Sequence, residues 1–202
     1  QIASELSLDK VISFDMGGTT AKICLIEEQT AGTAREFEID RQARFTKGSG
    51  LPLRIPVIEM VEIGAGGGSI ARVDSMNQIT TGPDSAGADP GPACYGRGGV
   101  DPTTTDANVV LGRIDPAFKL GGDVEVLREP AERAVGELGA ELGFDRARTA
   151  AGILEITNSN MAEAMRLLTI DRGLDPREFT LVAFGGAGPL HATDLASLLG
   201  MR

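Results

Sequence analysis

The chain has no tryptophan, one tyrosine, one histidine and two cysteines among 202 residues. The lone histidine, His191, rules out HExxH and any zinc site built on a cluster of imidazoles. Cys24 and Cys94 have no CxxC spacing, so they read as reduced thiols of a cytosolic protein, not as a disulfide framework or a structural zinc site. Basic charge is scarce: 19 Lys and Arg against 29 Asp and Glu give a formal net charge of −10. That argues against nucleic acid and against an anionic membrane surface as partners. It does not argue against a nucleotide, because backbone dipoles and a metal decide phosphate binding locally. The apolar runs fall far short of the ~20 residues of a membrane helix. The first residues lack the basic and apolar blocks of a signal peptide, so a cytoplasmic location is expected.

Glycine, in contrast, is abundant, with 27 residues and no collagen-like period, which places the excess in turns. Two of those turns carry the functional signal. Residues 11–26 read VISFDMGGTTAKICLI: an apolar run ending at Phe14, then Asp15, then Gly17, Gly18, Thr19 and Thr20, then a second apolar run. Two strands joined by such a turn suit phosphates, since glycine lets backbone N–H groups come close to an anion. The threonines can donate hydroxyls, and Asp15 can hold a hydrated Mg²⁺ that the phosphates share. The same residues also fit an ordinary hairpin with a Gly-Gly turn. Residues 179–192 read FTLVAFGGAGPLHA. Here a short strand, Leu181 to Phe184, meets Gly185, Gly186 and Gly188, and Pro189 opens a helix with Ala192, Leu195, Ala196 and Leu199 on one face. A strand, a glycine turn and a helix N-terminus suit an anion or a ribose with its phosphates. Neither turn is a P-loop or a GxGxxG fingerprint.

Hydrophobic residues make up 42% of the chain, enough for the core of one domain. Residues 9–42 are expected to form a three-stranded meander with strands at Val11–Asp15, Ala21–Glu27 and Thr33–Ile39. Residues 45–125 form a glycine-rich insertion in which Val57, Met60, Val61 and Ile63 start a strand or a helix. Residues 126–202 hold helices, a strand and the second glycine turn. Periodicity predicts short helix Pro102–Leu111, a clear helix Pro130–Gly143, and a doubly apolar helix from a Thr149 cap to Leu168.

Five motifs in order are similar to those of the hydantoinase/oxoprolinase family: FDMGGTT, GAGGGSI from Gly64, TGPDSAGADPGPACYGRGG from Thr81, PTTTDANVVLGRI from Pro102, and AFGGAGPLHA. The resemblance spans nearly the whole chain. It implies an α/β fold of the actin/Hsp70/sugar-kinase type (ASKHA, ribonuclease H-like), in which two halves clamp ATP. The FDMGGTT turn resembles the second phosphate loop and AFGGAGPLHA the adenosine turn, so the chain resembles the second half of the clamp within a longer protein. The implied activity is ATP-dependent opening of a cyclic amide or imide, such as 5-oxoproline or a hydantoin, with ATP and Mg²⁺ and a companion B-type subunit or domain. The alternatives are a β-type subunit of an ATP-dependent ketone carboxylase and a non-catalytic assembly subunit of the same fold. Homo-oligomerisation is left open. Family members often carry Asp where this chain has Lys22, which can contact phosphate or simply face solvent.

The site expected from these readings places Asp15 and Asp106 as catalytic carboxylates, with Asp15 also the metal ligand. Gly17, Gly18, Thr19, Thr20, Gly185, Gly186, Gly188 and His191 would bind the nucleotide. The loops Gly64–Ser69 and Pro83–Gly99, bracketed by Asp84, Asp89, Asp101 and Asp106, would form a substrate wall. Asp106 also fits a residue that complements a helix dipole. Asp194, one turn after His191, is placed to orient its ring. Asn158 and Asn160 are expected to find partners inside the core.

Overall fold

The computed structural model describes residues 1–35, 37–39 and 50–201. It shows a mixed α/β fold built on one sheet. Strand β1 (Lys10–Met16) runs antiparallel to β2 (Ala21–Glu27) and parallel to the last strand, β11 (Thr180–Phe184). The first two strands and the last match the expected positions within a residue or two.

The third strand of the meander is composite. Strand β3 (Thr30–Ala31) pairs with Ile26 and Glu27 and stops at Gly32. The chain then leaves the sheet. In that excursion β4 (Thr33–Ala34) pairs with β7 (Val57–Ile58), and β5 (Phe37–Ile39) with β6 (Leu51–Leu53). It returns at β8 (Met60–Ile63), which pairs with the rest of β2 from Cys24 back to Ala21. The break is stitched by Glu59 N–H donating to the Gly32 carbonyl at 2.8 Å and by the Glu59–Arg172 ion pair at 2.7 Å. Thr33–Ile39 is therefore not the third strand beside β2; the strand expected there is supplied by β3 and β8.

Alternation decides which face of the sheet is buried. Ile12, Phe14 and Met16 of β1, Ala21, Ile23 and Leu25 of β2, and Ile63 of β8 all face one side and are buried. Against them pack Met161, Ala162, Ala164, Met165 and Leu168 of helix α4 (Arg146–Ile170), and Leu195 and Leu199 of helix α5 (Gly188–Leu199). The N-terminal turn α1 (Ile2–Glu5) contributes buried Ala3. A second core joins α4 to α2 (Thr104–Val110), α3 (Arg128–Leu142) and the hairpin of β9 (Ser69–Val73) with β10 (Ile79–Ser85). Helix α4 starts earlier than expected: Asp145 is its cap, accepting from Arg148 N–H at 2.8 Å, and Thr149 lies inside the first turn. Helix α3 ends where expected, with Gly143 in the left-handed conformation.

Met161 lies at the centre of the layer between helix α4 and the sheet. Met161→Ala should lower unfolding stability by about 2–5 kcal/mol, the range for emptying a large core side chain. Chemical denaturation monitored by circular dichroism measures it.

Candidate functional site: a glycine-walled phosphate face

The face of the sheet opposite the helices carries a row of charged and aromatic side chains in strict register. Phe184 pairs with Asp15, Asp15 with Lys22, and Lys22 with Glu62. Directly paired residues project to the same face, so an aromatic ring, a carboxylate, an ammonium and a second carboxylate lie side by side across four strands. Phe184 is 45% exposed although it is a large apolar residue. The next row, Val182, Ser13, Cys24 and Met60, is half-buried to exposed.

Above this row sits the turn Gly17–Thr20, closed by Gly17 N–H donating to the Thr20 carbonyl at 3.1 Å. Its orientation is imposed from the helix side. Gly67 N–H donates to the Gly17 carbonyl at 2.9 Å, and Gly68 N–H to the Gly18 carbonyl at 2.6 Å. Ala65, at the start of that loop, belongs to the buried core beneath the sheet. In a trans peptide the C=O and the following N–H point in opposite directions. Carbonyls of Gly17 and Gly18 turned toward the Gly66–Gly68 loop therefore turn the N–H groups of Gly18 and Thr19 away from it, toward the open face. Both residues are exposed, and among the described residues neither N–H has a backbone partner. The loop fits only because Gly66 has no side chain: a Cβ there would come within 2.6 Å of Gly18 O and of the Thr19 carbonyl carbon.

The second glycine turn closes the other side of Asp15. Ala187 N–H donates to the Met16 carbonyl at 2.9 Å, tying the start of α5 to the end of β1. Gly185 adopts φ +83°, and any side chain there would collide with the Asp15 carboxylate and the Met16 carbonyl. Asp15 is thus held between the two glycine turns. Gly188 is buried, and a Cβ there would meet Phe14 and Met16 at ordinary van der Waals distance, whereas Gly186 is exposed with open space where a Cβ would stand. Of the residues expected in the site, the structure brings together Asp15, Gly17, Gly18, Thr19, Thr20, Gly185 and Gly186, with Gly188 packed beneath them.

Asp106 and His191 do different things. Asp106 is fully buried, and its two oxygens accept from Ala93 N–H (3.2 Å), Cys94 N–H (2.7 Å), Thr103 N–H (2.9 Å) and the Thr103 hydroxyl (2.7 Å). The Thr103 hydroxyl in turn accepts from Asp106 N–H, completing a capping box at the start of α2. Three of these donors bond Oδ2 and the Cys94 N–H bonds Oδ1; fully buried, the carboxylate fastens the Ala93–Tyr95 turn to α2. The neighbouring Thr105 donates both N–H and hydroxyl to the Gly67 carbonyl, each at 2.8 Å. Asp106 therefore anchors the segment that supports the glycine loop. The sequence signal for this role was the Thr-x-x-Asp spacing of the capping box.

His191 is fully buried on α5, with Nδ1 2.6 Å from Asn158 Oδ1 of α4. Since an amide oxygen only accepts, Nδ1 carries the proton and Nε2 is a lone pair, which has no partner among the described residues. Burial, reinforced by Arg113, pushes its pKa down to about 4 despite Asp194. Asp194 does not touch the ring: it accepts from Asn158 Nδ2 at 3.0 Å and from Arg113 at 2.7 Å. The network His191–Asn158–Asp194–Arg113 joins α4 to α5, running from the buried ring out to the part-exposed Asp194–Arg113 pair. Asn158 is satisfied in the core as expected, whereas Asn160 is exposed. Asp84 pairs with Arg72 at the surface, and Asp89 and Asp101 are exposed. Burial also raises the Cys94 thiol well above its ordinary range, with Asp106 adding to the shift.

Two outcomes follow. Asp106→Asn turns two N–H donors toward a group that already faces donors, and should cost about 2–5 kcal/mol of stability, read from denaturant midpoints. His191 binds a proton more readily unfolded, near pH 6.5, than folded, near pH 4. Stability should therefore fall as pH drops from about 6.5 to about 4, by about 3 kcal/mol in all from this group. His191→Gln should flatten that part of the stability–pH curve.

Known proteins share this fold. The hydantoinase/oxoprolinase family profile matches residues 1–202. An uncharacterised protein of Methanocaldococcus jannaschii is 46% identical over 194 residues, covering 95% of this chain and 28% of that protein. Caprolactamase subunit alpha of Pseudomonas jessenii is 39% identical over 202 residues, covering 100% of this chain and 28% of that protein. The crystal structure of the ATP-dependent caprolactamase from that organism superposes with a TM-score of 0.83 at 36% identity, over 100% of this chain and 28% of its own. Nucleotide-free acetone carboxylase, which carries out ATP-dependent acetone carboxylation, superposes with a TM-score of 0.85 at 28% identity, over 99% of this chain and 27% of its own. The chain thus spans under a third of the relatives it matches, and it belongs to the hydantoinase/oxoprolinase family.

Proposed function

We propose that this chain is one half of an ATP-binding clamp of the actin/Hsp70/sugar-kinase type, in an enzyme that opens a cyclic amide or imide with ATP. The observation that carries the reading is the pair of outward N–H groups, Gly18 and Thr19, set over Asp15 on the open sheet face. An antiparallel pair with a parallel fourth strand beside β1, and helices stacked on one face, supports the clamp topology. The ATP-dependent caprolactamase among the similar structures supports the reaction class.

The residues present fit a nucleotide's phosphates. The Gly18 and Thr19 N–H groups and the Thr19 and Thr20 hydroxyls donate, and the space over Gly17, Gly18 and Gly186 is free of other atoms. They also fit Mg²⁺, since one carboxylate with waters and phosphate oxygens is a usual ligand set for that ion. Asp15 would hold it, and the ion would neutralise phosphate charge. Gly185 and Gly186 would face the nucleoside, with Phe184 beside them. The chemical logic is direct: an amide carbon is a poor electrophile, and moving a phosphoryl group onto its oxygen opens it to attack by water, while backbone N–H groups stabilise the transferring charge. The caprolactamase relative is a subunit by name, which supports a companion subunit here. The acetone carboxylase likeness favours a second reading, in which the phosphorylated group is the enolate of a ketone.

In the full-length protein, Asp15→Ala should lower ATP-dependent turnover by roughly 10²–10³-fold with the circular dichroism spectrum unchanged. Wild-type turnover would leave Asp15 as a turn residue only. Gly186→Val should fold normally, because nothing lies within 4 Å of the new Cβ, yet weaken nucleotide binding in calorimetry. Unaltered binding would remove the nucleoside from that turn.

A further inference from the structure

Lys22 is the cation of the open face, and its surroundings are specific. Strand pairing sets it between Asp15 and Glu62 on one face. Its Nζ donates to the Thr20 hydroxyl oxygen at 3.0 Å and lies 3.4 Å from Glu62 Oε1. Thr20 is the last residue of the turn whose Gly18 and Thr19 N–H groups point to the same face. With its oxygen accepting from Lys22, the Thr20 hydroxyl has its proton free to donate. Two N–H groups, one hydroxyl and one ammonium therefore lie beside Asp15, with Glu62 on the far side of the ammonium.

Resting on the nucleotide reading above, we propose that Lys22 is a phosphate-binding residue, held ready by Glu62 and released from it when a nucleotide's phosphate arrives. The strength of the pair permits this exchange. The Lys22 and Glu62 side chains are 43% and 53% exposed, and exposed ion pairs are weak. A phosphate offers Lys22 a stronger charge-assisted bond than a solvated carboxylate does. It arrives already oriented by the Gly18 and Thr19 N–H groups. Glu62 acts as a placeholder that keeps the ammonium extended along the face and away from Asp15, which is then left for the metal ion. Because Glu62 competes with phosphate for the same ammonium, the two residues affect affinity in opposite directions. A surface ion pair with no ligand would instead leave affinity untouched in both variants.

The test measures ATP and adenosine binding by calorimetry on the full-length protein, as wild type, Lys22→Met and Glu62→Gln. Lys22→Met should weaken ATP binding about tenfold or more and leave adenosine binding unchanged. Glu62→Gln should tighten ATP binding about two- to fivefold and leave adenosine binding unchanged. Equal ATP affinity in Lys22→Met and wild type overturns the proposal. So does an equal loss for ATP and adenosine, which would make Lys22 a structural residue. ATP binding that is unchanged or weaker in Glu62→Gln overturns the competition. If wild type binds neither ATP nor adenosine, the nucleotide reading itself fails and Lys22 with it, a pattern distinct from the others.

Discussion

Two backbone hydrogen bonds, Gly67 N–H to Gly17 C=O and Gly68 N–H to Gly18 C=O, determine which way the Gly17–Thr20 turn faces. Without them the turn could present carbonyl oxygens, which repel an anion, as readily as N–H groups. Supports stack behind those bonds. Thr105 holds the Gly67 carbonyl with two donors. Asp106, next in sequence, ties the start of α2 to the Ala93–Cys94 turn. Helix α2 packs on α3 and α4. A buried capping box is thereby coupled to the direction of two exposed N–H groups, and the glycines at 66–68 allow the close packing this needs. On the proposed reading, dipoles fixed by the fold would preorganise an anion site without an excess of basic side chains, in a chain of net charge −10.

Much of this frame was legible in the sequence. Apolar runs beside glycine turns marked β1, β2 and β11. Pro189 and the apolar stripe of α5 marked the last helix. The composite third strand was not legible. Strand β3 has two residues, too few for any period, and β8 rejoins the sheet only after a long excursion. The bond that joins them, Glu59 to Gly32, is a tertiary contact with no local signature. Asp145 rather than Thr149 caps α4 for a related reason. Both residue types cap helices, and the apolar periodicity begins late because the first turn is polar.

The site residues divided along the same line. That Asp15 and the two glycine turns lie together could be read from the sequence because each turn directly follows its strand. Asp106 and His191 carry the functional groups expected of a site, but both are fully buried and bonded to internal partners. For Asp106 the four donors come from Ala93, Cys94 and Thr103. For His191 the partner, Asn158, comes from a helix remote in sequence, and burial keeps the ring neutral. The row Phe184–Asp15–Lys22–Glu62 depends on strand order and register, which link residues far apart in the chain, so no linear motif announces it.

The most direct measurement of the central claim is amide hydrogen exchange of the full-length protein, with and without a non-hydrolysable ATP analogue and Mg²⁺. The account predicts that the N–H groups of Gly18 and Thr19 exchange fast in the free protein and become protected on binding. The Gly67 and Gly68 amides, already bonded to the turn, should be slow in both states. Protection elsewhere in the chain with no change at Gly18 and Thr19 would contradict it.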